Sequence, residues 1–64
     1  MKNISTKELN YVKDFLSWEL YMAKLCNQYT NQMSDQKYSK LVDQCGQIHQ
    51  QNYTDMFNYL ESIK

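Results

Sequence analysis

The sequence contains no proline, no arginine, a single glycine and a single histidine in 64 residues. With no proline and one glycine, only polar residues can punctuate the chain. With no arginine, seven lysines stand against seven carboxylates and the formal net charge is zero. That balance argues against a nucleic-acid interface, which carries a basic patch, and against a surface helix held by anionic lipid. Two cysteines are too few for the disulfide framework of a small secreted domain. No apolar run approaches the ~20 residues that span a bilayer. The opening residues, MKNISTKEL, lack the apolar core of a Sec-type signal peptide, so the expectation is cytoplasmic synthesis and a soluble domain. Nucleophile–base pairs, phosphate-binding glycine loops and zinc-finger spacings are missing too. These absences predict a protein that is not an enzyme, with no membrane and no nucleic acid among its partners.

What is present reads as helix. Ser5-Thr6-Lys7-Glu8 has the form of a capping box, with Ile4 and Leu9 placed as a hydrophobic staple around it. No breaker follows until Asn31-Gln32-Met33-Ser34, which predicts helix one over about residues 6–32. Ser34 is the expected N-cap of helix two, with Asp35 favourable at its positive end. Helix two then runs over about residues 35–63. The short linker makes the two helices antiparallel neighbours. The whole chain, residues 1–64, is expected to be one all-α helical-hairpin domain.

Helix one carries more apolar surface than a hairpin needs. Leu9, Val12, Leu16, Leu20 and Ala23 form one edge, and Tyr11, Trp18, Leu25 and Tyr29 the other. Phe15, Met22, Cys26 and Met33 lie between, and together the set covers roughly 220° of the circumference, about twice the stripe that faces one core. Helix two places Tyr38, Leu41, Val42, Cys45, Ile48, Tyr53, Met56, Phe57, Tyr59, Leu60 and Ile63 on an arc of roughly 180°. Two rods of ~40 Å cannot bury both faces against each other alone. The expected remedy is a homodimer, a four-helix bundle whose interface takes Tyr11, Phe15, Trp18, Met22, Leu25 and Tyr29.

Two polar residues interrupt the apolar faces. His49 lies near the centre of the arc on helix two, and Glu19 near the middle of that on helix one. In a hairpin turning near residue 33 or 34, facing positions have numbers summing to about 67, which brings Glu19 to Ile48 or His49. A lone charge there is costly, so carboxylate and imidazole should pair or hold something. One reading is a buried pair that fixes register. The other is a degenerate site for a divalent metal, built from Glu19 and His49 of two copies. A di-iron bundle needs Glu-x-x-His, and the residue three before His49 is Gly46, so no metal or other cofactor is expected. Gly46 is expected to face Tyr21 and to leave room for that ring or for a close helix approach. Cys26 and Cys45 are offset along the axis and are expected to stay free, as buried thiols.

The segments Ser5-Thr6-Lys7-Glu8-Leu9, Leu16-Ser17-Trp18-Glu19, Lys24-Leu25-Cys26 with Tyr29, and Ile48-His49-Gln50-Gln51-Asn52-Tyr53 with Tyr59-Leu60 resemble the small clostridial spore coat proteins. These are related to the spore coat F family, and the likeness covers about Ser5 to Leu60. It implies a ferritin-like bundle, a place in the spore coat and other coat proteins as partners. Gly46, and Ile48 where an acidic residue often precedes the histidine, depart from the ferritin-like metal pattern. Thirteen Asn and Gln side chains and six tyrosines suit a shell hardened by Lys–Gln or dityrosine links, although amides and lysines also simply solvate helices. The leading expectation is a non-enzymatic coat component. The alternatives are a ferritin-like metal-binding protein using Glu19 and His49, and a small hairpin regulator of RNA or a signalling kinase.

Overall fold

Two capped helices and a three-residue turn make up the structure, a computed structural model that describes residues 4–63. Helix α1 spans Thr6–Gln32 and helix α2 spans Gln36–Ser62. They pack antiparallel as a hairpin measuring 48 × 17 × 11 Å. The radius of gyration is 14.7 Å, against about 11 Å for a globular chain of this length.

The start of α1 follows the sequence signal. Ser5 is extended, its hydroxyl oxygen accepts from the Glu8 amide at 3.1 Å, and the Glu8 carboxylate accepts from the Ser5 amide at 3.4 Å. Two of the orphan N–H groups at this helix start are thereby satisfied. At the other end, Met33 turns extended and its N–H donates to the Tyr29 carbonyl at 3.0 Å.

The cap of α2 differs from expectation by one residue. Asp35, not Ser34, is the N-cap; one carboxylate oxygen accepts from the amides of Lys37 at 2.9 Å and Tyr38 at 3.2 Å. An ionised carboxylate also suits the positive end of the dipole better than a hydroxyl does. The helical span accordingly begins at Gln36 and ends at Ser62, inside the expected 35–63. Ser39 then ties the turn together by donating its hydroxyl to the Thr30 carbonyl at 3.0 Å.

Both helices meet along a seam of alternating three- and four-residue steps. On α1 it is Leu9, Val12, Leu16, Glu19, Ala23, Cys26 and Thr30; on α2 it is Ser39, Val42, Gly46, His49, Tyr53, Met56, Leu60, continuing to the capping Ile63. Every one of these is buried or half-buried. This is the a/d spacing of a coiled coil, in which side chains from one helix sit between those of the other.

Capping assigns different weights to two adjacent residues. Asp35→Ala is expected to lower the unfolding free energy by about 1 kcal/mol, whereas Ser34→Ala, at an uncapped exposed position, changes it by less than about 0.5 kcal/mol. Urea denaturation at one fixed protein concentration measures both, and equal losses would return the cap to Ser34.

Candidate functional site: a carboxylate–imidazole pair beside an apolar flank

The seam brings Glu19 and His49 together at the waist of the hairpin. His49 Nδ1 lies 2.5 Å from Glu19 Oε2. The two atoms share one hydrogen bond, in which the ring tautomer sets which partner donates. Glu19 is 6% exposed and His49 half-buried, so solvent screens the acid little and reaches part of the ring. Glu19 thereby fixes the ring orientation and leaves Nε2 as the imidazole's second nitrogen.

The same seam corrects the expected surroundings. Glu19 pairs with His49 and Ser39 bonds to Thr30, but Gly46 meets Cys26 rather than Tyr21. A Cβ placed on Gly46 would lie 2.9 Å from the Cβ of Cys26 and 3.9 Å from the Ala23 carbonyl oxygen. Tyr21 is exposed and packs against Trp18, with ring centroids 6.1 Å apart. The facing residues sum to 68 or more because the turn is centred later than 33. Glycine is therefore required by close helix approach. Both cysteines are free, but only Cys26 is buried. Cys45, expected in the core, is exposed, because Gly46 takes the adjacent inward position.

A metal does not fit within one chain. Glu19 and His49 bind each other, and Gly46 provides no carboxylate at the Glu-x-x-His position. Among the described residues no group of three or more histidine, cysteine or acidic side chains could hold an ion.

The second feature lies one residue off the seam. On α1, Tyr11, Phe15, Trp18, Met22, Leu25 and Tyr29 form a stripe with the same steps of four and three. Tyr11, Phe15, Trp18 and Tyr29 are exposed, while Met22 and Leu25 are half-buried. On α2, Tyr38, Leu41, Cys45 and Ile48 repeat the pattern, with Tyr59 further along, and all five are exposed. Trp18 and Ile48, at the waist, are 57% and 60% exposed.

Both stripes lie on one side of the hairpin. A groove of about 550 Å³ at the open end is lined from α1 by Glu8, Tyr11 and Phe15 and from α2 by Asn52, Asp55 and Tyr59, with Ile4, Val12 and Met56 at its floor and end. The opposite flank is mostly polar and exposed, carrying Lys13, Ser17, Lys24, Asn27, Lys40, Asp43, Gln47 and Gln50. The α2 half of the apolar flank was missed in the sequence, which placed Leu41 and Ile48 on one apolar arc with Val42 and His49 and named only α1 residues for the dimer interface. The run 38, 41, 45, 48, parallel to 39, 42, 46, 49, was the available signal.

The fold and its seam define an antiparallel two-helix hairpin with one unpartnered apolar side. Over 58 residues the chain is 31% identical to YuzM, an uncharacterized protein of Bacillus subtilis (strain 168), covering 91% of this chain and 72% of that protein. The chain belongs to the same family as YuzM. No family model matches it, and no solved structure matches it.

Two substitution series probe the waist. Glu19→Leu or His49→Leu alone is expected to cost about 3 kcal/mol, because each strands a polar group, while the double Glu19→Leu, His49→Leu variant should be about as stable as the parent or more so. A double-mutant cycle in urea measures this; additive losses would show that the two side chains do not act as a pair. Gly46→Ala gains about 1 kcal/mol of helix propensity but overpacks the seam by ~1–3 kcal/mol, for an expected net loss. Because the collision is with the Cβ of Cys26, Cys26→Ala leaves the Gly46→Ala penalty in place and Cys26→Gly relieves it.

Proposed function

We propose that this protein is a non-enzymatic structural component of the bacterial spore coat, working as a homodimeric, ferritin-like four-helix bundle that assembles with other coat proteins. The observation that carries the assembly is the continuous apolar flank, Tyr11 to Tyr29 on one helix and Tyr38 to Ile48 on the other. Its size suits a second copy. The chain exposes 5224 Å², whereas a folded monomer of 7.8 kDa is expected to expose about 4400 Å². The surplus of roughly 800 Å² is what one member contributes to a standard interface. The likeness to small clostridial spore coat proteins supports the location, and the bacterial source of YuzM accords with it. No helix among the described residues is long and apolar enough to cross a membrane.

Location is tested by fractionating sporulating cells of the source bacterium and probing each fraction with an antibody to the chain. The expected result is recovery in the alkaline or detergent extract of the coat. Recovery only in the soluble fraction of the mother cell would overturn the coat assignment and leave the dimer to be judged separately.

A further inference from the structure

We infer that the second copy docks head to tail, the turn end of each hairpin filling the groove at the open end of the other. This inference rests on the dimer proposed above and assigns its geometry.

The ends of the apolar flank are chemically different. At the open end, Glu8 and Asp55 rim the groove. The ammonium of Lys7 stands over the Tyr11 ring at 5.9 Å, beside rather than between the two carboxylates that rim the groove. At the turn end the flank is Leu25, Tyr29, Tyr38 and Leu41, all neutral. Docking with like ends together would bring two copies of Glu8 and two of Asp55 into one desolvated groove. Like charges so placed are costly.

Head-to-tail docking avoids this, and the levels match. With the two-fold axis at the Glu19–His49 waist, Glu8 lies eleven residues toward the open end, about 16 Å along the helix. Tyr38 lies eleven residues toward the turn, the same distance on the other side. The hydroxyl of Tyr38 in one copy is then level with the carboxylate of Glu8 in the other, as donor to acceptor. Tyr11 and Leu41 are each eight residues from the waist and are level in the same way. Trp18 of one copy meets Ile48 of the other beside the axis, and the same contact is made twice.

Shape agrees with charge. Apart from one valine in each half (Val42 and Val12), the turn half of the seam is built from small residues, Ala23, Cys26, Thr30, Ser39 and Gly46, and the open half from large ones, Leu9, Leu16, Tyr53, Met56 and Leu60. Interaxial separation follows the side chains at the contact, so the hairpin widens toward the end that carries the groove. Narrow and wide ends pair in the head-to-tail arrangement alone.

Disulfide mapping tests the geometry in the full chain, with Cys45→Ser as background. Chains carrying Tyr11→Cys mixed with chains carrying Leu41→Cys should form a crosslinked dimer under mild oxidation, and Tyr11→Cys chains alone should not. Crosslinking of Tyr11→Cys to itself would overturn the head-to-tail arrangement. A second measurement uses conservative surface changes: the double Glu8→Gln, Asp55→Asn variant should dimerise no more tightly than the parent. A tenfold tightening at low salt would show carboxylates facing each other and overturn the inference. Sedimentation equilibrium of the unaltered chain separates the two claims. A monomer throughout the micromolar range removes the dimer itself, whereas a dimer that crosslinks like end to like end removes only its geometry.

Discussion

The hydrogen bond between Glu19 and His49 is the constraint on which the rest of the hairpin depends. A seam with regular three- and four-residue steps can slide by one heptad and still present apolar residues to apolar residues. Such a slip would move Glu19 from His49 to the level of Val42 or Met56. The carboxylate would then be buried without a donor, and the imidazole would lose its acceptor. An unpaired charge costs far more than a paired one gains. The pair therefore acts mainly by making every other register worse.

That constraint matters more here than in a larger protein because the core is thin. Among the described residues no large side chain is fully buried, and Cys26, Ile63 and Glu19 are the most enclosed. One of three is a carboxylate, so the waist contributes specificity where a hydrophobic core would contribute stability. A chain of this length buries a modest share of its surface on folding. The apolar flank is accordingly a large part of what the sequence has available for stabilisation, and a hairpin alone leaves it in water.

Much of this architecture was legible in the residues. The Ser5–Glu8 box and the lack of glycine and proline over residues 6–32 set the first helix to its end residues. The surplus apolar arc of α1 already separated a stripe for a second copy from a stripe for the hairpin. Reading α2 was harder for a physical reason. Its seam, 39, 42, 46 and 49, is partly polar or side-chain-free, and the stripe one residue earlier is greasier. Hydrophobicity alone therefore favoured Leu41, Cys45 and Ile48 as the inward face. Two local contacts decide the matter: a Cβ at Gly46 would lie 2.9 Å from the Cβ of Cys26, and the Ser39 hydroxyl donates to the Thr30 carbonyl. Ser34 and Asp35 posed the same kind of problem at the cap, where both residue types are competent and backbone geometry selects one.

The waist also connects the fold to its proposed assembly. Trp18 and Ile48 are the residues immediately before Glu19 and His49, so the pair that sets the seam's register also sets the level of these two exposed side chains. A slip of one heptad would carry them about 10 Å out of line, and the stripes of α1 and α2 would meet at other levels. The groove depends on the same alignment, since Tyr11 and Phe15 line it only where Asn52 and Tyr59 stand opposite. A polar contact inside one hairpin thus determines the shape that the hairpin offers outward. Replacing that contact by leucines could preserve or raise the stability of the hairpin and still damage assembly, because a seam that tolerates several registers presents several flanks. Stability and assembly are for this reason separable properties of the same two residues.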